Sequence, residues 1–131
     1  MIPGYFVTID ADECLRLLGE GTIGRVAWVS SRGLQVLPVS YTLVGDAVVF
    51  TVAEGTILGE LSRPTKVAFE VDDLDTQTAT GWSVLAQGET TPFAGDKEAL
   101  KSLPWVPGHQ DIPIAVELSF LAGRSVSAES D

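Results

Sequence analysis

Residues Phe50–Leu58 read FTVAEGTIL, and they say more about this 131-residue chain than any other stretch. An apolar, β-branched run ends at Val52, a Gly55-Thr56 step follows, and Ile57 opens a segment with apolar residues at helical spacing. This order predicts a strand, a tight turn and a short helix. Such a turn exposes several backbone N–H groups, which together with the helix dipole favour an anion such as a phosphate.

Two interpretations of this turn stay open. A strand-to-helix turn that contains a glycine is most often only a turn. The phosphate interpretation relies on Gly55, on the Thr56 hydroxyl and on backbone N–H groups, because Thr51, Val52 and Ile57 carry no positive charge. Basic side chains elsewhere would have to compensate, and the candidates are Arg25, Arg63 and Lys66.

Most of the remaining chain has the alternation of apolar and polar residues that is typical of strands. The pattern predicts six or seven largely antiparallel strands in one domain over residues 1–131, with a loose tail at 127–131. This is a mainly β, barrel-like architecture. The predicted strands are Ile23–Ser30, Leu34–Val44, Ala47–Val52, Lys66–Asp72, Trp82–Thr90, and a last hairpin of Ile112–Leu121 and Arg124–Ala128 that turns at Ala122-Gly123.

A few short helices complete the prediction. Asp10 can cap the first helix, with Glu13 three residues on as its reciprocal partner, and Gly19 and Gly21 end it. Leu15 and Leu18 are expected to form its buried stripe. Two further helices are predicted over Gly55–Ser62 and Asp96–Leu103, with loops over Leu74–Thr80 and Pro104–Gly108.

The charge of the chain argues against several classes of partner. Eighteen acidic residues against eight Lys plus Arg give a formal net charge of −10. Nucleic acid and anionic membrane surfaces attract basic proteins, so neither partner is expected. No apolar run reaches the roughly 20 residues of a membrane helix, and no signal peptide is evident. We therefore expect a cytoplasmic protein.

Other chemistries have weak support in the sequence. Cys14 lies among leucines and is expected to be a buried apolar residue, and one cysteine with one histidine cannot build a zinc site. His109 lies in a Pro/Gly loop, and the Gly-x-Ser-x-Gly elbow of hydrolases is missing. The acidic run from Glu70 to Asp75 lacks the glycine and glutamate spacing of a calcium loop.

The tryptophans are large flat surfaces. Trp82 begins a predicted strand, and Trp105 stands between Pro104 and Pro107. Either ring could stack on a planar ligand, while core packing or a dimer seam is the other interpretation.

The order of these segments resembles the pyridoxamine 5′-phosphate oxidase-like, FMN-binding split-barrel family, in its small actinobacterial-type branch. The segments that carry the resemblance are Gly24–Ala27, Leu37–Tyr41, Phe50–Leu58, Val67–Asp73, Gly81–Val84, Pro104-Trp105 and Ala122–Arg124. The resemblance implies a split β-barrel that forms a homodimer with two flavin sites at its interface. Members that bind FMN or a deazaflavin act as oxidoreductases or flavin carriers, and some members have no known activity.

The resemblance also suggests site residues. Phe50, Gly55, Thr56 and Leu58 match the phosphate turn of the family, whereas Thr51, Val52 and Ile57 stand where Arg, Thr and Lys are usual. The remaining positions that match the family's flavin site are Val39 and Tyr41, which would run beside the isoalloxazine ring, and Trp82, Ser83 and Arg124.

These observations predict an FMN-binding protein that is a flavin-dependent oxidoreductase of unknown substrate, with no evident protein acid or base. The altered turn could also favour a ligand without a phosphate. The alternative is a dimeric split-barrel protein that has lost its flavin and serves as a binding or interaction module.

Overall fold

The fold is built around one long strand. The computed structural model describes residues 5–96 and 112–127. Its elements are β1 (Tyr5–Ile9), α1 (Ala11–Glu20), β2 (Ile23–Ser30), β3 (Gly33–Ser40), β4 (Thr42–Val44), β5 (Ala47–Val52), a 3₁₀ helix (Leu58–Ser62), β6 (Lys66–Asp75), β7 (Thr80–Pro92) and β8 (Ile112–Ser127).

Strand β8 holds neighbours on both of its edges. It pairs with β7 along nearly its whole length, and its other edge pairs first with β5 and then with β1. The β7 register slips between Gln87, which faces Phe120, and Gly88, which faces Leu118. This bulge bends the ladder. A side chain at Gly88 would overlap the carbonyl of Glu117, so glycine allows the close approach there.

The described strands form one antiparallel sheet in the order β3-β2-β6-β7-β8-β5-β4, with β1 added beside β8. The sheet curls so that alternate side chains of each strand meet inside a half-barrel, and α1 packs against β8 and β4. This architecture confirms the mainly β, split-barrel prediction. No helix in the described part of the chain has both the length and the apolar character needed to cross a bilayer.

Aromatic rings fill the centre of this half-barrel. Tyr41 meets Phe69 edge to face with ring centroids 4.9 Å apart, and Phe50 stacks on Phe69 at 6.5 Å. The Tyr41 hydroxyl donates to the Leu18 carbonyl at 2.5 Å, which fastens α1 to the core. Burial raises the pKa of Tyr41 to about 12, so this hydroxyl stays a donor at neutral pH.

The predicted last hairpin is wrong. Residues Ile112–Ser127 form a single strand, and Gly123 lies within it, paired with both Val84 and Ile9. A Cβ atom on Gly123 would lie 2.5 Å from the sulfur of Cys14. The glycine therefore reflects the close approach of α1 to the sheet and does not mark a turn.

Other boundaries also differ from the prediction. Residues Leu34–Val44 divide at Tyr41 into β3 and β4, and the unpredicted β1 brings the total in the described residues to eight strands. Strand β6 runs on to Asp75, so the predicted loop from Leu74 to Thr80 shortens to a turn. The predicted helix over Gly55–Ser62 is the shorter 3₁₀ helix.

The first helix is close to its prediction. Asp10 accepts a hydrogen bond from the Glu13 N–H at 2.9 Å, which confirms the cap, while the Glu13 carboxylate pairs with Arg16. Gly19 lies inside the helix and Gly21 is its C-cap. The buried stripe consists of Cys14, Leu17 and Leu18, with Leu15 only half-buried.

Some predictions fall outside the described residues. These are the helix over Asp96–Leu103 beyond its first residue, the loop at Pro104–Gly108 with Trp105, and His109. The single domain over residues 1–131 with its loose tail stays a prediction.

Two glycine substitutions test this packing with opposite signs. An alanine methyl at Gly24 would overlap the buried Phe69 ring, so Gly24→Ala should destabilise the fold by about 1–3 kcal/mol. Gly19→Ala meets only Leu43, at 3.6 Å, and should stabilise helix α1 by about 0.5 kcal/mol. Urea unfolding of both variants checks the pair, and a Gly24→Ala variant as stable as the wild type would contradict the described core.

Candidate functional site

The turn after β5 is closed by its own hydrogen bonds. Gly55 has a φ of +83°, which a glycine adopts without strain. The Thr56 hydroxyl donates to the Ala53 carbonyl at 2.6 Å and accepts from the Gly59 N–H at 3.1 Å. The Thr56 N–H also donates to Ala53, at 3.3 Å, and the Glu60 N–H to Ile57 at 3.2 Å. Several donors that the phosphate interpretation needs are therefore already engaged.

This turn forms one wall of an open cleft of about 650 Å³, which we call the turn cleft. Ligand sites in proteins typically have volumes of about 300–1,000 Å³. The turn cleft is lined by Trp28, Val29, Ser31, Glu54, Gly55, Thr56, Gly59, Glu60, Ser62, Arg63, Pro64 and Thr65. Trp28 is 4% exposed, and its buried indole N–H has no hydrogen-bond partner within the described structure.

A fixed carboxylate lies in the turn cleft. Glu60 accepts the Ser31 N–H at 3.0 Å and also accepts the Ser31 hydroxyl. These two bonds, aided by the charges of Arg32 and Arg63, hold the pKa of Glu60 below its usual range. Glu54 adds a second carboxylate to the lining. Among the described lining residues the acidic charges therefore outnumber the basic one, Arg63.

The three basic residues that could supply positive charge to the turn lie in three different places. Arg63 lines the turn cleft. Arg25 instead bonds to Glu70 at 3.1 Å and to Asp72 at 3.3 Å. Lys66 lines a different hollow, beside Gln87, Gly88 and Ser119.

Three predicted site residues point into the core. Val39, Tyr41 and Val52 are at most 6% exposed, so their side chains pack inside the half-barrel. Only their backbone atoms are left to contact a ligand. Thr51 is half-buried opposite Pro113, and Ile57 packs against the edge of the core.

Two of the remaining predicted residues, Ser83 and Arg124, lie together at the opposite end of the sheet. Ser83 faces Arg124 on β8 and Asp72 on β6, and the three side chains share the face of a hollow of about 470 Å³. Trp82 is the neighbour of Ser83 along β7 and therefore points to the other face, where it packs against the core near Gly21.

Within one chain the turn cleft lies far from the pair formed by Ser83 and Arg124. Thr65, which lines the turn cleft, precedes Asp72, which faces Ser83, by seven residues of nearly extended chain. At about 3.3 Å per residue this is roughly 20 Å along the strand. Within one copy of the chain the predicted site residues therefore line two separate hollows.

The side of the sheet that faces away from the core, which we call the outer face, is largely apolar. The strand registers place its residues in rows across five strands, from β3 to β8. One row is Val36, Ala27, Ala68, Gln87 and Phe120, and the next is Pro38, Arg25, Glu70, Leu85 and Ala122. Val36 is 63% exposed and Phe120 50%. Exposed apolar patches of this kind mark interaction surfaces.

An ionic cluster lies within this apolar surface. Arg25 bridges Glu70 and Asp72. The cluster was not predicted from the sequence, because Arg25 lies at least 45 positions before either carboxylate. Burial, together with the neighbouring Asp72, raises the pKa of Glu70 to about 6, against the opposing charge of Arg25. Burial likewise raises the pKa of the Cys14 thiol, which leaves it a packing residue.

Comparison with known proteins agrees with this architecture. An uncharacterized protein of Mycobacterium tuberculosis, Rv0080, is 28% identical over 133 residues, which cover 95% of this chain and 88% of that protein. Two solved structures show the same fold, at identities too low to imply more. An FAD-binding protein from Mycobacterium smegmatis has a TM-score of 0.73 at 24% identity, with 92% of this chain and 98% of that one covered.

The second structure is an FAD-binding protein from Mesorhizobium loti, with a TM-score of 0.73 at 19% identity and coverage of 92% of this chain and 97% of that one. The family model for pyridoxamine 5′-phosphate oxidase matches residues 10–125 of this chain. That match spans both the turn cleft and the Ser83–Arg124 group and confirms the resemblance, so the chain belongs to the pyridoxamine 5′-phosphate oxidase family.

Proposed function

We propose that this protein binds a flavin, FMN in the first instance, at a site completed by two copies of the chain. The observation that carries the proposal is the family match over residues 10–125. The two proteins of the same fold that are described as FAD-binding give it further support.

The separation of the candidate residues supports a shared site. The turn cleft and the Ser83–Arg124 group lie about 20 Å apart along one strand, so within one copy they belong to two separate hollows. A two-fold axis through the outer face brings the turn of one copy toward Arg124 of the other. A dimer interface of this kind is isologous, so each dimer has two equivalent sites.

The outer face has the composition of such an interface. Its apolar rows contribute the burial, and the Arg25–Glu70–Asp72 cluster carries both signs of charge, so it can pair with its own symmetry copy. A stable interface buries about 800 Å² per partner, and exposed Leu34 and Leu74 extend the apolar surface toward that size.

Within that site each group of residues has a proposed role. The backbone near Val39 and Tyr41 runs beside the ring, Ser83 and Arg124 contact its polar edge, and Trp82 supports the strand beneath. The flavin side chain reaches the turn cleft, where Gly55 and Thr56 line it. Thr51, Val52 and Ile57 flank the turn, and Val52 can contact the ligand only through its backbone. A bound flavin would supply hydride or electron transfer, which makes an oxidoreductase of unassigned substrate the matching activity.

The turn cleft fits the volume of a flavin side chain but does not fit the charge of a phosphate. Glu54 and Glu60 offset Arg63, and the Thr56 hydroxyl is engaged by Ala53. This lack of positive charge in the turn cleft favours a second candidate function, a dimeric split-barrel module that binds a partner without flavin.

Flavin titration separates the two candidates. Adding FMN or FAD to the purified protein should produce a bound, visible flavin band, and saturation at 100 times Kd should add about 2.7 kcal/mol of stability. Differential scanning calorimetry with and without ligand measures that gain. A colourless protein with an unchanged Tm in excess of both flavins would exclude the flavin function and leave the module.

A charge placed on the outer face tests the shared site. Val36→Glu buries an unpaired carboxylate in the proposed interface and should convert a particle of twice 13.9 kDa into one of 13.9 kDa. Val7→Glu is the matched control, because Val7 is 61% exposed on the opposite side of the sheet and should leave the dimer intact. Sedimentation equilibrium gives the masses, and a monomeric wild type would refute the shared site.

A further inference from the structure

We infer that the turn cleft recognises the hydroxyl groups of a flavin side chain and not its phosphate, so that riboflavin binds nearly as tightly as FMN. This inference rests on the proposed flavin function. It assigns Glu54 and Glu60 as residues that determine ligand specificity.

Several hydrogen-bond donors of the turn are already bonded within it. The Thr56 hydroxyl, which could have donated to a phosphate, donates to Ala53 at 2.6 Å. The N–H groups of Thr56, Gly59 and Glu60 each have an acceptor within the turn or the 3₁₀ helix. A phosphate held by these donors would have to break their present bonds, and the hydrogen bonds gained would only replace those lost.

The charges that line the turn cleft also oppose a phosphate. Ser31 fixes the Glu60 carboxylate with two hydrogen bonds, so this charge cannot swing away from an incoming anion. Glu54 lies in the same lining. A dianionic phosphate placed there would meet both carboxylates, and like charges brought together in a partly enclosed site oppose binding. Arg63 offsets one of these charges, and Arg32, whose charge also acts on Glu60, offsets the other, so no positive charge is left over to attract the phosphate.

The carboxylates of Glu54 and Glu60 suit a ligand group that donates hydrogen bonds. An ionised carboxylate only accepts hydrogen bonds, and it therefore prefers O–H or N–H donors. The ribityl chain of a flavin carries several hydroxyl groups, each of which can donate to Glu54 or Glu60. These hydroxyls are identical in riboflavin and FMN, so binding through them does not distinguish the two molecules.

The direct test is a pair of dissociation constants for the unmodified protein. Titrations that follow flavin fluorescence should give riboflavin and FMN values within about threefold of each other. A phosphate held by two charge-assisted hydrogen bonds would make FMN tighter by about 100-fold or more.

We take tenfold as the dividing line. FMN preferred by tenfold or more overturns this inference and leaves the flavin function standing. A smaller preference supports it. Binding of neither flavin overturns both the inference and the proposed function.

Charge variants of the turn cleft then test the cause. Ile57→Lys and Glu60→Gln should each raise the preference for FMN over riboflavin by about tenfold, because one adds a charge-assisted contact and the other removes a repulsion. Asp46→Asn is the control for charge removal, because Asp46 is exposed in the turn between β4 and β5 and lines neither hollow of the proposed site, so the ratio should stay unchanged. Glu54→Gln repeats the test at an exposed position where folding is not at risk. Ratios that stay at the wild-type value in all three charge variants would refute the electrostatic cause.

Discussion

The continuous pairing of β8 is the constraint on which the rest of this structure depends. Its sixteen residues hold β7 on one edge and both β5 and β1 on the other, so every part of the sheet is connected through it. The bulge at Gln87-Gly88 lets the long β7–β8 ladder bend while the two strands stay paired. Bending closes the aromatic core around Phe69 and leaves the outer face of β2, β3, β6, β7 and β8 on the opposite side of the sheet.

The same curvature distributes the functional groups. The turn after β5 and the end of β2 meet at the turn cleft, while Ser83 and Arg124 stay at the far end of the outer face. A half-barrel of this shape presents two halves of a site in different places, and a second copy is the simplest way to join them. The proposed function rests on that geometry, with an interface that would join the halves and charges in the turn cleft that would determine which ligand they accept.

Local patterns predicted much of the fold. Alternation located β2 and β6, and Asp10 with Glu13 located the start of α1, because such signals depend on neighbours in sequence. Gly123 led to the wrong prediction of a turn. A glycine is needed there because the sulfur of Cys14, more than 100 residues away in sequence, leaves no room for a side chain. The turn was found at the right place. The carboxylate held beside it was not found, because Ser31, which fixes Glu60 by hydrogen bonds, lies 29 residues away in sequence.

A mixed-subunit experiment tests the shared site most directly. Gly55→Val strains the turn, because its φ of +83° disfavours side chains, and Arg124→Glu damages the other half. Each variant alone should bind almost no flavin. A heterodimer purified through two different tags contains one doubly damaged site and one intact site, so isothermal titration calorimetry should give one flavin per dimer. A heterodimer that binds none, or variants that each bind normally alone, would contradict a site built from two copies.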